Sequence, residues 1–339
     1  MSAAQSEKWP PKPSGKTGWP WEPVVAASST GGSSEKLPTI SIVVVSFNQA
    51  AYLEEAIRSL LLQDYPHLEI FVADGGSRDG SVEIIRRYEP WLSGWFSEPD
   101  RGQSDALNKG FKRVKGEILN WLCSDDLLQP GALHHVGEFF REHPNADVLA
   151  GGGRWQYDTS PEKSHDCPVN ESIFAALPIR NLVFQPSCFF RKQVLQTAGP
   201  IREDLHYAMD WELWCRFLKN GAHWAFTEKV LSVYRVTGDN KAFSGGNKML
   251  REMESLYRDY STGDFSLIYW FRYIWLPLIR RSRRNSKSFP SRVAGFLARI
   301  LLDMLRRLYS PSRCDDLRGQ YLDYGIYQEE INASKQVRN

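Results

Sequence analysis

The residues best suited to chemistry in this 339-residue chain are carboxylates set at or just beyond the ends of apolar runs. Asp74 ends one run, Asp100 follows another, and Ser124-Asp125-Asp126 closes a third. Converging on one edge of a sheet, such groups suit a hard divalent cation, Mn²⁺ or Mg²⁺, and a hydroxyl-rich ligand. Farther on, Asp210 and Glu212 open an amphipathic stretch and offer a general base for a hydroxyl proton. Two positions apart on a helix they cannot share a face, so only one of them can aim at a common ligand. Other devices are missing. The first apolar run is not followed by G-x-G-x-x-G, and no G-x-x-x-x-G-K-[ST] occurs, so a diphosphate bound here needs a cation rather than a glycine cradle. The five cysteines include no C-x-x-C pair, which argues against structural zinc or a disulfide framework and fits a reducing cytosol. His134 and His135 lie inside a helical stretch, where a packed or solvated role is favoured over a zinc site.

These groups need a scaffold, and the apolar pattern supplies one. Residues 39–47 form a β-branched run of the kind buried on both faces of a parallel sheet. Asn48 is expected to cap the next helix, where Leu53, Ile57, Leu60 and Leu61 recur at helical spacing. Strands are then expected at 68–73, 94–97, 116–123 and 147–150, with helices at 81–88, 104–114, 131–141 and 211–219. Strands alternating with helices imply a doubly wound α/β sheet, in which ligands sit beyond the carboxyl ends of the strands. Those ends are Ser46-Phe47-Asn48, residues 74–79, residues 98–102 and Ser124-Asp125-Asp126.

Taken in order, Ile42 to Asn48, Asp74 to Ser81, Asp100 to Asn108 and Ser124 to Gly131 resemble a family 2 inverting glycosyltransferase, over roughly residues 39–240. The resemblance implies the GT-A fold, a Rossmann-like doubly wound mixed sheet, here with a helical C-terminal extension. It implies a nucleotide-sugar donor, a UDP-sugar first, with Phe47, Asn48, Asp74, Asp100, Arg101, Ser124 and Asp125 on the donor side. Asp74 would meet the nucleobase, or else only start its Asx-turn. Asp100 and Arg101 would lie near the nucleotide or sugar, or else form a surface ion pair. Asp105 and Asn108 match the pattern too, or only cap and line their helix. Ser124-Asp125-Asp126 corresponds to the family's D-x-D signature, which makes Asp126 the metal ligand. Ser124 departs from that signature by replacing its first carboxylate, and Thr237 stands where some relatives carry a metal-binding His. Asp210 corresponds to the catalytic base, its plainer role being a helix N-cap, with Glu212 in reserve. Trp211 and Glu212 would face the acceptor, although core packing or the helix dipole accounts for such residues equally well. Gln185 lies in a segment that matches the rim of the acceptor pocket.

Hydrophobic residues make up 42% and charged residues 24% of the chain, and the net charge is +2, all ordinary for a globular protein and no sign of nucleic acid. Residues 1–37, rich in Pro, Ser and Gly and without a signal-peptide pattern, read as a disordered leader. Residues 38–246 read as the catalytic domain and 247–339 as a basic helical region. Val293, Phe296, Leu297, Ile300, Leu301, Met304, Leu305 and Leu308 fall on one helical face beside Arg292, Arg299, Arg306 and Arg307. That pattern fits peripheral membrane contact or packing on protein. The expected placement is cytoplasmic, at the inner face of a membrane. The processive Q-x-x-R-W signature is missing, so the reading is transfer of one sugar to a glycan or lipid-linked acceptor in cell-envelope polysaccharide assembly. Two competitors are a non-catalytic sugar-nucleotide-binding or assembly module and a nucleotidyltransferase. The latter lacks its glycine-rich loop here.

Overall fold

The computed structural model describes residues 10–24, 37–158, 160–171, 176–237, 240–241, 245–260, 265–284 and 288–318. β1 (Ile40–Ser46) is buried along its whole length, as its run of Ile and Val requires. It pairs in parallel with β2 (Leu68–Asp74) on one side and β4 (Ile118–Cys123) on the other, and β3 (Gly94–Ser97) extends the sheet from β2. The connecting helices are α1 (Ala50–Leu61), α2 (Ser81–Tyr88) and α3 (Gln103–Phe111). Leu53, Ile57 and Leu60 of α1 and Ile85 of α2 join Ile42, Val44, Ile70 and Val72 in one core. α3 comes so close to β1 that a Cβ on Gly110 would lie 2.6 Å from Val43 Cγ1, so only glycine allows this approach.

Beyond β4 come β5 (Leu127–Leu128), α4 (Ala132–Glu142), β6 (Val148–Tyr157), β7 (His165–Cys167), β8 (Cys188–Arg191), α5 (Lys192–Ala198), α6 (Met209–Lys219) and β9 (Trp224–Val236). The sheet order is β3-β2-β1-β4-β8-β6-β9-β5, with β7 beside β6. β8 runs antiparallel to both β4 and β6, β9 parallel to β6, and β5 antiparallel to β9. The sheet is therefore mixed. β1 lies between β2 and β4, which marks the switch point where a ligand crevice opens beyond the strand ends.

Two local findings differ from the sequence expectations. Asn48 does not cap α1. The residue before the helix is Gln49, and the N–H groups at the helix start are met from the segment that opens α2, Ala50 N by Asp79 Oδ2 at 2.8 Å and Gln49 N by Ser81 Oγ at 3.2 Å. Residues 10–24 of the expected disordered leader are placed against α1, with Trp21 only 7% exposed. Its indole lies 5.0 Å from the Arg58 guanidinium, a cation–π contact that composition does not reveal. Residues 1–9 and 25–36 lie outside the described residues.

The chain divides into two units, Met1–Glu171 with Val183–Thr237, and Ser172–Leu182 with Gly238–Asn339. The second contains α7 (Gly246–Tyr260), α8 (Phe265–Tyr269), a π-helical turn (Trp270–Trp275), α9 (Leu276–Arg284) and α10 (Phe289–Leu308). The π turn directly precedes Pro277, whose missing N–H breaks the regular ladder. α10 buries Ala294, Ala298, Leu301, Leu302 and Leu305, whereas Phe289, Phe296, Ile300 and Leu308 face outward. Among the described residues no helix is long and apolar enough to cross a membrane.

Candidate active site

At the switch point Ser46 is level with Asp74, Asp74 with Ser97, and Val45 with Cys123. The chain therefore leaves β1, β2, β3 and β4 along one edge, which gathers Phe47, Gly75, Asp100 and the Ser124-Asp125-Asp126 turn.

Asp74 ends β2. It is completely buried, and its carboxylate accepts from Gly76 N (3.1 Å), Ser77 N (2.9 Å), Ser77 Oγ (2.6 Å) and Ser97 Oγ (2.6 Å). These bonds hold the turn that shapes this edge of the sheet. Asn48, at φ 51°, ties the neighbouring loop to it: Asn48 N donates to Ser77 Oγ (2.7 Å), and Arg78 N donates to Asn48 Oδ1 (2.9 Å). Above this turn Phe47 is 60% exposed. A Cβ on Gly75 would lie 2.6 Å from Asp100 Oδ2 and 3.2 Å from Phe47 Cδ2. The carboxylate of Asp100 thus occupies the space a side chain at 75 would fill, beside an open aromatic face. Asp100 Oδ1 accepts from Gly102 N at 2.8 Å, which fixes its orientation. Arg101 points to solvent and pairs with Asp105 (3.1 Å) and Glu203 (2.6 Å). The Arg101 hydrogen bonds and Lys109 outweigh burial and hold Asp105 down at about 2. Asn108 donates to Ile201 O (2.8 Å) and accepts from Ile201 N (2.9 Å), so it clamps a loop.

The acidic turn follows β4. Ser124 is buried and its N–H donates to Val45 O at 3.1 Å; Asp126 N donates to Cys123 O at 2.9 Å. Asp126 is completely buried, and its Oδ1 accepts from Arg235 N at 3.2 Å. Its Oδ2 is buried and has no hydrogen-bond partner among the described residues. Burial first, and the Asp125 carboxylate second, push its carboxyl well above the usual range, against the pull of Arg235. A buried oxygen in that position calls for a proton or a cation. Ligand atoms of Cys123, Asp125 and Asp126 lie within 4.8 Å of one another. Two carboxylates and a thiolate-capable sulfur fit a divalent cation such as Mn²⁺, with the hard contacts from Asp125 and Asp126.

Asp210 is half-buried in the first turn of α6, and its Oδ1 accepts from Trp211 N at 2.7 Å. It is not the N-cap, a position held by Ala208. Ser104 Oγ reaches Met209 Sδ at 2.8 Å, which joins the start of α3 to the start of α6. Trp211 and Glu212, on the first turn of α6, are buried at 2% and 1% exposed. Glu212 Oε2 pairs with Arg216 at 2.9 Å. Trp214 stacks on Trp121 at 5.4 Å, inside the core. His134 and His135 are held separately, by Asp64 O and Thr227 Oγ1. Sequence reasoning passed over Gln103 and Cys123. Gln103 Nε2 reaches Cys123 Sγ at 3.2 Å, and Gln185 Nε2 donates to Trp121 O at 2.8 Å. The available signal was their place beside the motifs, Gln103 after Gly102 and Cys123 before the triplet.

Residues 41–199 match the family described as Glycosyl transferase family 2. The chain is 30% identical over 232 residues to an uncharacterized glycosyltransferase of Rickettsia typhi, covering 65% of this chain and 70% of the relative. It is 26% identical over 237 residues to the putative teichuronic acid biosynthesis glycosyltransferase TuaG of Bacillus subtilis, covering 69% of this chain and 92% of TuaG. Two solved structures share the fold at 18% identity and TM-score 0.55. One is S. aureus TarS in complex with UDP-GlcNAc, over 87% of this chain and 92% of that one. The other is the mannosyltransferase PcManGT from Pyrobaculum calidifontis in complex with GDP-Man and Mn²⁺, over 96% and 92%. The fold is thus that of the GT-A glycosyltransferases. The chain belongs to glycosyltransferase family 2.

Proposed function

We propose that this protein is an inverting, cation-dependent glycosyltransferase that moves one sugar from a nucleoside diphosphate sugar, a UDP-sugar in the first instance, to a hydroxyl of a glycan or lipid-linked acceptor. The observation that carries this reading is the buried, unpartnered Oδ2 of Asp126 beside Asp125 at the sheet's switch point. Phe47 and Asp100 supply an aromatic face and an acceptor oxygen for the nucleobase. When bound at Asp125 and Asp126, Mn²⁺ or Mg²⁺ supplies positive charge for the diphosphate. Asp210 takes the acceptor's hydroxyl proton; the oxygen bonds to the anomeric carbon as the bond to the diphosphate oxygen breaks, and the electron pair leaves with the nucleotide. A single displacement of this kind inverts the anomeric centre. The putative role of TuaG in teichuronic acid biosynthesis favours a cell-envelope polysaccharide acceptor.

Asp210→Asn tests the chemistry. Nucleotide release from a panel of UDP- and GDP-sugars should fall about 10²- to 10⁴-fold, with donor affinity kept within about twofold. Near-normal turnover would remove Asp210 from the role of base. Donor binding without release by the wild type, across a broad acceptor panel, would favour the binding-module reading.

Peripheral contact with an anionic membrane is part of the same proposal. Phe289, Phe296, Ile300 and Leu308 of α10 present an outward apolar stripe, and Arg292 and Arg299 are exposed alongside it. Flotation with anionic vesicles should be lost in a Phe296→Glu, Ile300→Glu variant. Unchanged flotation would place any anchor elsewhere.

A further inference from the structure

The N-terminal segment is joined to the acidic turn through two charged residues far from it in sequence. Trp21 Nε1 donates to Glu55 Oε1 at 3.2 Å, and Lys16 Nζ pairs with the same oxygen at 3.0 Å. The other carboxylate oxygen of Glu55 pairs with Arg235 Nη1. Arg235 is 4% exposed and lies over the Tyr52 ring, its guanidinium 5.0 Å from the centroid. From there it holds the turn twice, its Nε donating to Asp125 O and its backbone N to Asp126 Oδ1. Two more contacts fix the strand that leaves the turn. Leu128 N donates to Ser59 Oγ at 3.2 Å, and Leu128 O accepts from Trp19 Nε1 at 2.9 Å.

Each link has a physical reason. Arg235 brings a buried positive charge next to the carboxylates that are to bind a cation, and that charge alone would repel a cation. Glu55 neutralises it, so Arg235 can act as a rigid donor fork without opposing the metal. Burial would raise the Glu55 carboxyl, but Arg235 and Lys16 together outweigh it and hold the group below its ordinary value, which keeps it charged. Trp21 and Lys16 occupy the remaining oxygen of Glu55 and shield the pair from water, while Arg58 backs the indole and donates to Pro10 O at 2.9 Å.

We propose that Glu55, Arg235 and Trp21 are positioning residues for the cation site, and that residues 10–24 act as a strap which sets the Asp125–Asp126 turn. This rests on the cation reading of Asp126 given above. Partners that orient metal ligands commonly change affinity about 10- to 100-fold when removed. Glu55 acts one step behind Arg235, so Glu55→Gln is expected at the lower end, about tenfold weaker for Mn²⁺. Trp21→Ala should weaken Mn²⁺ binding about threefold, and Trp21→Phe, which keeps the stack on Arg58, should recover part of that loss.

The test is direct Mn²⁺ titration of the full-length protein, followed by the electron paramagnetic resonance signal of the free ion, without donor or turnover. Circular dichroism and melting curves accompany it, so that a variant is compared only while folded. The proposal expects weaker Mn²⁺ binding in both Glu55→Gln and Trp21→Ala at a temperature where each is fully folded. If the wild type binds Mn²⁺, Asp126→Asn does not, and the two strap variants bind like the wild type, the strap proposal is overturned and the cation reading stands. If Asp126→Asn binds Mn²⁺ as the wild type does, or the wild type binds none, the cation reading fails first and the strap proposal falls with it. Should Glu55→Gln fail to fold, Trp21→Ala decides alone, because Trp21 lies outside the sheet.

Discussion

Replacing Asp126 with asparagine should make the cation-free protein more stable while abolishing transfer. Asp126 is completely buried, its Oδ1 is met by Arg235 N, and its Oδ2 is met by no hydrogen-bond partner among the described residues. Asparagine keeps the size and the acceptor for Arg235 and replaces a carboxyl that must either carry an unmet charge or take up a proton with an amide that is neutral at every pH. Unmet charged groups cost more than unmet neutral ones, and the difference amounts to about 1–2 kcal/mol. In a unit of this size that corresponds to roughly 2–8 °C in Tm. Differential scanning calorimetry in the presence of a chelator should show this gain. With Mn²⁺ at about 100 times its Kd the wild type should gain about 2.7 kcal/mol, whereas the variant, without its ligand oxygen, should gain almost nothing. The order of stability then reverses. A variant less stable than wild type in chelator would mean that Asp126 is satisfied by the fold itself, and the reasoning from its unpartnered oxygen would be wrong.

Three other outcomes follow from the geometry. Gly75→Ala places a methyl group against the Asp100 carboxylate, which can turn away only by giving up its hydrogen bond from Gly102 N, so the fold should tolerate it while KM for the donor rises about tenfold; an unchanged KM would take Asp100 out of the donor pocket. Asp105 is held at about 2 in the folded protein, below its ordinary value, so its contribution to stability is present above about pH 4 and is lost as pH falls through about 2. Asp105→Asn should therefore be less stable than wild type at pH 7, the gap closing below pH 4 in pH-dependent melts; a gap independent of pH would contradict the assignment. Trp214→Ala should cost about 3–5 kcal/mol in denaturant melts because it empties the stack on Trp121, and a cost below about 1 kcal/mol would return Trp214 to the surface.

The parallel half of the fold was legible because its signals are local. Runs such as residues 40–46 and 68–74 are long, β-branched and bounded by polar turns, so strand ends could be read to within a residue or two. The second half was not. β6 contains Gly151-Gly152-Gly153, a triplet that reads as a turn; in the fold Leu231 and Phe184 press against it where side chains would otherwise stand, and the register with β9 shifts beside it. β9 itself carries Glu228-Lys229 at that irregularity, which hides a 13-residue strand. At the site, Asp126 was identified by its motif, and its buried, unmet oxygen adds a physical reason. The donors around Asp74 were not legible, because their number is a three-dimensional fact: Ser97 comes from another strand. The burial of Trp211 and Glu212 was not legible either, because one turn of a helix can face the core or the cleft, and only the packing of α6 decides between them. The docking of residues 10–24 depends on Arg58, Glu55 and Leu128, none of them near in sequence.

The account stands most directly on one titration, UDP into the protein with and without Mn²⁺, by isothermal calorimetry, for wild type and Asp126→Asn. UDP binding should strengthen at least about tenfold with Mn²⁺ in the wild type, and the variant should show the same weak affinity in both buffers. Equal enhancement in the two proteins, or none in the wild type, would contradict a cation site at Asp126.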